Sequence, residues 1–64
     1  MNETDVWLGT LQAAKRLRVN VRTVYRFIDE GKLTAYKFGR VIRIKEADLD
    51  AFVASQRIAA GGHS

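Results

Sequence analysis

The sequence predicts a small α+β domain in which two short helices joined by a tight turn are followed by a two-stranded β-hairpin and a closing helix. Three observations carry this reading. Apolar residues recur at helical spacing in "TLQAAKRL" (10–17), in "VRTVYRFIDE" (21–30) and in "EADLDAFVASQRI" (46–58). Two runs rich in β-branched and aromatic residues, "KLTAYKF" (32–38) and "VIRIK" (41–45), flank Gly39-Arg40. Between the first two helical patterns only "RVN" (18–20) remains, which is too short for anything except a turn.

In the first helix Leu11, Ala14 and Leu17, with Ala13 beside them, form the apolar stripe. Gly9 or Thr10 caps it, and the threonine hydroxyl is the better acceptor for a free backbone N–H. Asn20 is a suitable N-cap for a second helix starting at Val21. Within that helix Val24, Phe27 and Ile28 gather on one side, Arg22, Arg26 and Asp29 lie opposite, and Thr23 and Tyr25 occupy the rims. Gly31 supplies the left-handed position that ends it. A helix of about ten residues is marginal alone, so Val24 and Ile28 are expected to pack on Ala14 and Leu17.

For the hairpin, a two-residue loop would mix Tyr36 with Arg43 on one face and leave no clean core side. A three-residue loop of Gly39, Arg40 and Val41 is therefore the expected register. It pairs Phe38 with Ile42 and Tyr36 with Ile44, and sets Lys37, Arg43 and Lys45 on the opposite face. The third helix lines up Leu49, Phe52, Val53 and Gln56, with Glu46 and Asp48 in its first turn and Arg57 in its last. Lys45 is a poor cap for it. Trp7 reads as a lid on the core.

The bulk properties narrow the class of protein. A chain of 64 residues makes one domain, and at this size only about 60% of the unfolded surface is buried. There is no cysteine to form a disulfide or a thiolate metal site. Stabilisation is then expected from a partner, either DNA or another copy of the chain. No apolar run approaches the roughly 18 residues of a membrane span, and "MNETDVW" is too acidic for a secretory signal. A cytoplasmic, nucleoid-associated protein is expected, with a lead-in over 1–6, a domain over 7–57 and a disordered tail over 58–64.

Charge is unevenly distributed. From Lys15 to Lys45 there are ten cations against Asp29 and Glu30, a local excess of +8. The flanks carry Arg57 against five carboxylates and bring the total to +4. A polycationic middle is the electrostatic footprint of a nucleic-acid binder. His63 sits in the tail and is given no role. No nucleophile with its base, glycine-rich phosphate loop, carboxylate pair or metal-ligand cluster is evident, so neither an enzyme, a cofactor nor a small-molecule ligand is expected.

The order of elements is that of a winged helix-turn-helix, and the residues carry a resemblance. "WLGTLQAAKRLRVNVRTVYRFIDEGKLTAYKFGRVIRIKEADLDAF" resembles the excisionase-like DNA-binding domains related to the MerR group of regulators, with which it shares several features. These are an aromatic-Leu entry, paired alanines, Thr-Val-Tyr-Arg in the second helix, Glu-Gly-Lys-Leu, a Gly-Arg hairpin tip, Arg-Ile and a final Asp-Leu. The resemblance covers residues 7 to 53. It departs from the pattern at Gly9, Asn20 and Thr34, and at Arg18, where glycine is common.

The resemblance implies a second helix entering the major groove of double-stranded DNA, and a wing reaching the minor groove or its phosphates. On the helix, Arg22 and Arg26 would contact base edges or phosphates. Thr23 would hold a phosphate or cap the helix locally, and Tyr25 would pack at the rim or offer its hydroxyl to a phosphate. On the wing, Arg40 would enter the minor groove while Lys37 and Arg43 hold the backbone. The role implied is that of a recombination directionality factor, in which several copies bend DNA beside an integrase. A small regulator of transcription is the alternative, and a basic protein-interaction adaptor is the competing class.

Overall fold

The computed structural model describes residues 5–58. Six elements follow in chain order: β1 (Trp7–Gly9), α1 (Thr10–Leu17), α2 (Val21–Asp29), β2 (Tyr36–Phe38), β3 (Val41–Lys45) and α3 (Glu46–Ser55). The three strands form an antiparallel sheet in the order β1-β3-β2. Of the expected tail over 58–64, residues 59–64 lie outside the described residues, as do residues 1–4 of the expected lead-in.

Local chemistry accounts for both ends of α2. Asn20 Oδ1 accepts from the Thr23 backbone N–H at 3.1 Å, so one free donor at the start of α2 is satisfied. At the other end Gly31 has φ 74°, the Lys32 N–H donates to the Phe27 carbonyl and the Gly31 N–H donates to Ile28. This is the six-to-one, five-to-two pattern that closes a helix on a left-handed glycine. Between α1 and α2 the chain reverses through Arg18, whose φ of 58° is the one left-handed non-glycine conformation among the described residues. The cap of α1 is Gly9, and its N–H donates to Gln12 Oε1 at 2.9 Å.

The core holds Leu8, Ala13, Ala14, Val24, Leu33, Ile44, Leu49 and Phe52, with Leu17, Phe27 and Ile28 partly buried against it. Alanines on α1 let α2 approach closely, as the sequence predicts. Phe27 and Phe52 bring α2 and α3 together, with ring centroids 5.0 Å apart. Leu11, expected in the apolar stripe, is instead 59% exposed. Ala13 takes the inward position.

The hairpin corrects the expected register. Tyr36 pairs with Arg43, Lys37 with Ile42 and Phe38 with Val41, across the two-residue loop Gly39-Arg40. Gly39 has φ 64° and Arg40 is not left-handed, which is the glycine-first arrangement whose twist matches a right-twisted hairpin. A clean apolar face on β2 is not required, because β1 supplies it: Leu8 lies opposite Ile44, and these two carry the inner face. Tyr36 and Phe38 consequently turn outward together with Trp7, which is no core lid. Arg43 and Lys45 share this outer face, whereas Lys37 lies on the inner side beside Ile42. β1 itself is an element that the sequence reading lacks.

α3 buries Leu49 and Phe52 and exposes Val53 and Gln56. Its N-cap, Lys45, makes no side-chain capping bond. The helix ends at Ser55, so Arg57 falls outside the last turn, contrary to expectation. With helix, turn, helix, a three-stranded wing sheet and a C-terminal helix, the molecule is a small α+β winged helix-turn-helix.

Candidate nucleic-acid interface

α2 projects Arg22, Tyr25 and Arg26 to solvent, with Thr23 half-buried between its cap and the surface. This follows from the helical period: Val24, Phe27 and Ile28 take the core side, so residues roughly opposite must face out. Thr23 is engaged locally, because its N–H and hydroxyl both donate to Asn20 Oδ1, at 3.1 and 3.3 Å. The Arg26 guanidinium carbon sits 5.8 Å from the Phe27 ring centroid, which steadies the side chain along the helix surface.

On the wing, Arg40 is exposed at the hairpin tip and Arg43 is exposed on the outer face. The Arg43 guanidinium donates to the Ile42 carbonyl at 3.0 Å. Lys37 is exposed on the other side of the sheet, so the wing does not present Lys37, Arg43 and Lys45 as one basic face.

Helix and wing meet at the start of α1. Gly9 is at once the cap of α1 and the strand partner of Arg43, and a Cβ placed there would lie 3.7 Å from Arg43 Nη1. The next residue, Thr10, brings its hydroxyl within 3.5 Å of the Tyr25 hydroxyl on α2. The corner Gly9-Thr10 therefore has Arg43 on one side and Tyr25 on the other. In the sequence Thr10 reads only as a cap, and Gln12 carries no role. The signal for Gln12 is the spacing of a capping box, in which the third helical residue reaches back to the cap N–H, whereas the approach of Thr10 to Tyr25 has no local signal.

Ion pairing engages three of the cations. Among the described residues Arg16 pairs with Glu46 at 2.7 Å, Lys32 with Glu30 at 3.3 Å and Lys45 with Asp5 at 3.7 Å. Exposed pairs such as these add little stability, but they do neutralise charge. Arg22, Arg26, Lys37, Arg40 and Arg43 have no carboxylate within 4.0 Å among the described residues, and neither do Lys15, Arg18 and Arg57. Their full charge is available to a ligand.

The geometry defines a class, the small winged helix-turn-helix with a cationic second helix and wing. The chain belongs to the helix-turn-helix domain family, whose model matches residues 7–57. That membership supports DNA binding. The chain is also similar to the uncharacterized protein YvgK of Bacillus subtilis (strain 168), with 38% identity over 58 residues. The match covers 91% of this chain and 18% of that relative's length. No solved structure matches the chain. Among the described residues no helix is long and apolar enough to cross a membrane.

Proposed function

We propose that the protein binds double-stranded DNA through α2 and the wing, with Arg22, Arg26 and Tyr25 directed at the major groove and Arg40 and Arg43 at the adjacent strand. Thr23 contributes through the helix start, and Lys37 lends charge from the inner side of the sheet. The observation that carries this reading is the exposure of Arg22 and Arg26 on α2 and of Arg40 and Arg43 on the wing, with no carboxylate partner among the described residues. Arg16, Lys32 and Lys45 are matched by carboxylates, whereas Lys15, Arg18 and Arg57 are unmatched among the described residues. The Gly9-Thr10 corner supports a joint surface, since it links Arg43 to Tyr25 through two consecutive residues.

The action on DNA is architectural, as the resemblance to excisionase-like domains implies: several copies bend adjacent sites and bias an integrase towards excision. A MerR-like regulator of transcription is the second reading. The length of the Bacillus relative favours it, because a comparable module there forms 18% of a longer chain. In either role the chain acts by binding and not by catalysis.

The test is titration of duplex DNA from flanking genomic sequence at several salt concentrations. Five phosphate contacts correspond to a slope of log affinity against log salt near −4 to −5, at about −0.9 per contact. A flat response, or no duplex binding at low salt, would transfer the basic surface to an acidic protein partner. An integrase-driven recombination assay then separates the two roles. A shift from integration to excision supports the directionality factor, whereas altered promoter output without that shift supports the regulator.

A further inference from the structure

The outer face of the sheet is a second surface, one that duplex binding leaves unused apart from Arg43. Trp7, Tyr36, Phe38, Val41, Arg43 and Lys45 fall on it by register. Trp7 is 39%, Val41 43% and Phe38 55% exposed, while the opposite face is sealed by Leu8 and Ile44. The Trp7 ring meets Tyr36 edge-on at 5.2 Å and Phe38 edge-on at 5.6 Å, so the three rings form one continuous patch without hiding their faces in a sandwich. Lys45 Nζ lies 5.5 Å from the Trp7 centroid and 5.3 Å from the Tyr36 centroid.

We propose that this face binds an unpaired nucleic-acid strand, with bases stacked on Phe38 and Trp7 and the connecting phosphates drawn to Arg43 and to Lys45, whose 3.7 Å pair with Asp5 they would replace. Exposed rings alone would fit many partners. What selects the ligand is the alternation of aromatic faces with cations on a sheet, which matches a polymer that alternates π-faces with phosphates. A duplex keeps its bases stacked inside and cannot offer them. A second copy laid face to face would set the unpaired Arg43 of each against a like charge. A sheet of this size accommodates about two or three bases. The inference shares Arg43 with the duplex reading but rests on Phe38 and Trp7, which take no part in it.

Trp7 is the sole tryptophan of the chain, so its fluorescence reports on the site directly. The full chain is titrated at low salt with a short oligothymidylate and, separately, with an oligouridylate of equal length. Saturable quenching by either supports the proposal, and the tighter of the two identifies DNA or RNA as the ligand. Phe38→Ala is expected to weaken binding by about 5- to 100-fold. Phe38→Tyr, which keeps the ring, should retain the affinity, and duplex binding and far-UV circular dichroism should be unaltered in both variants. Absence of quenching, or equal affinity for Phe38→Ala, overturns the proposal. Equal quenching by polyglutamate overturns it in favour of an acidic protein partner, and quenching that rises with protein concentration alone overturns it in favour of self-association. Arg22→Ala is expected to weaken duplex binding and leave the quenching intact, which supports two separate sites.

Discussion

The helix-turn-helix half and the sheet half dispose of their apolar side chains differently. On α2 the separation is one-sided, with Val24 fully buried, Phe27 and Ile28 half-buried, and Arg22, Tyr25 and Arg26 facing water. The sheet carries apolar residues on both faces, Leu8 and Ile44 within and Trp7, Phe38 and Val41 without. A surface helix of this kind needs only its core and its ligand. A small sheet that leaves rings exposed holds apolar area beyond what the fold requires, and area of that kind marks interaction surfaces.

The sharpest way to break this comparison is to truncate one side chain on each face of β3. Ile44→Ala removes a side chain with no exposure and should cost about 2 to 5 kcal/mol, enough to unfold much of so small a domain. Val41→Ala, three residues away on the outer face, should change stability by no more than about 0.5 kcal/mol. Urea denaturation of both variants measures the contrast. Comparable losses would mean that the outer face is packed and that the two halves are built alike.

The same contrast explains what was legible in the sequence. Both helices of the turn motif, the Asn20 cap and the Gly31 stop could be read because period, cap and terminator all agree on one answer. The hairpin could not, since the hydrophobicity of Tyr36 and Phe38 points to the core while the inner face is already filled from β1. Three residues, "WLG", are too few to announce a strand by alternation. Gly39-Arg40 does carry the turn signal, a glycine at the first loop position, but the demand for a clean apolar side points to the longer loop. The candidate site divides the same way. Exposure of Arg22, Arg26, Arg40 and Arg43 follows from the pattern of the chain, whereas the Arg43–Gly9 and Thr10–Tyr25 approaches join residues distant in sequence and needed the fold.

On the helix side, Arg22→Ala and Arg26→Ala should each cost about 1 to 3 kcal/mol of specific duplex affinity where the guanidinium reads a base. Competition binding on scrambled and native sites distinguishes the cases. Equal weakening on every sequence makes that side chain a phosphate contact, and the salt slope should then fall by about 1. Neither change should alter thermal stability, since both side chains are exposed and lack carboxylate partners among the described residues.

A smaller effect tests the local wiring of α2. Asn20→Ala removes the acceptor of the Thr23 N–H and hydroxyl and should cost about 1 kcal/mol of stability. Asn20→Asp keeps an acceptor and places a negative charge at the helix start, so it should restore the loss. A urea midpoint that does not move in the alanine variant would mean that solvent caps the helix as well as Asn20 does.

The smallest expected change is a gain. Arg18 holds a left-handed backbone with φ 58°, a conformation that costs an ordinary residue about 1 to 2 kcal/mol and glycine almost nothing. Glycine loses part of that advantage through the extra freedom of its unfolded chain, about 0.5 to 1 kcal/mol. Arg18→Gly should therefore stabilise the fold by roughly 0.5 kcal/mol, read as a small rise in the urea midpoint. The removed cation tips the turn between α1 and α2 and has no partner among the described residues. If Arg18 contributes only diffuse attraction, duplex affinity at moderate salt should scarcely change; a tenfold loss would instead enrol the turn in the interface and explain why a strained arginine stands there.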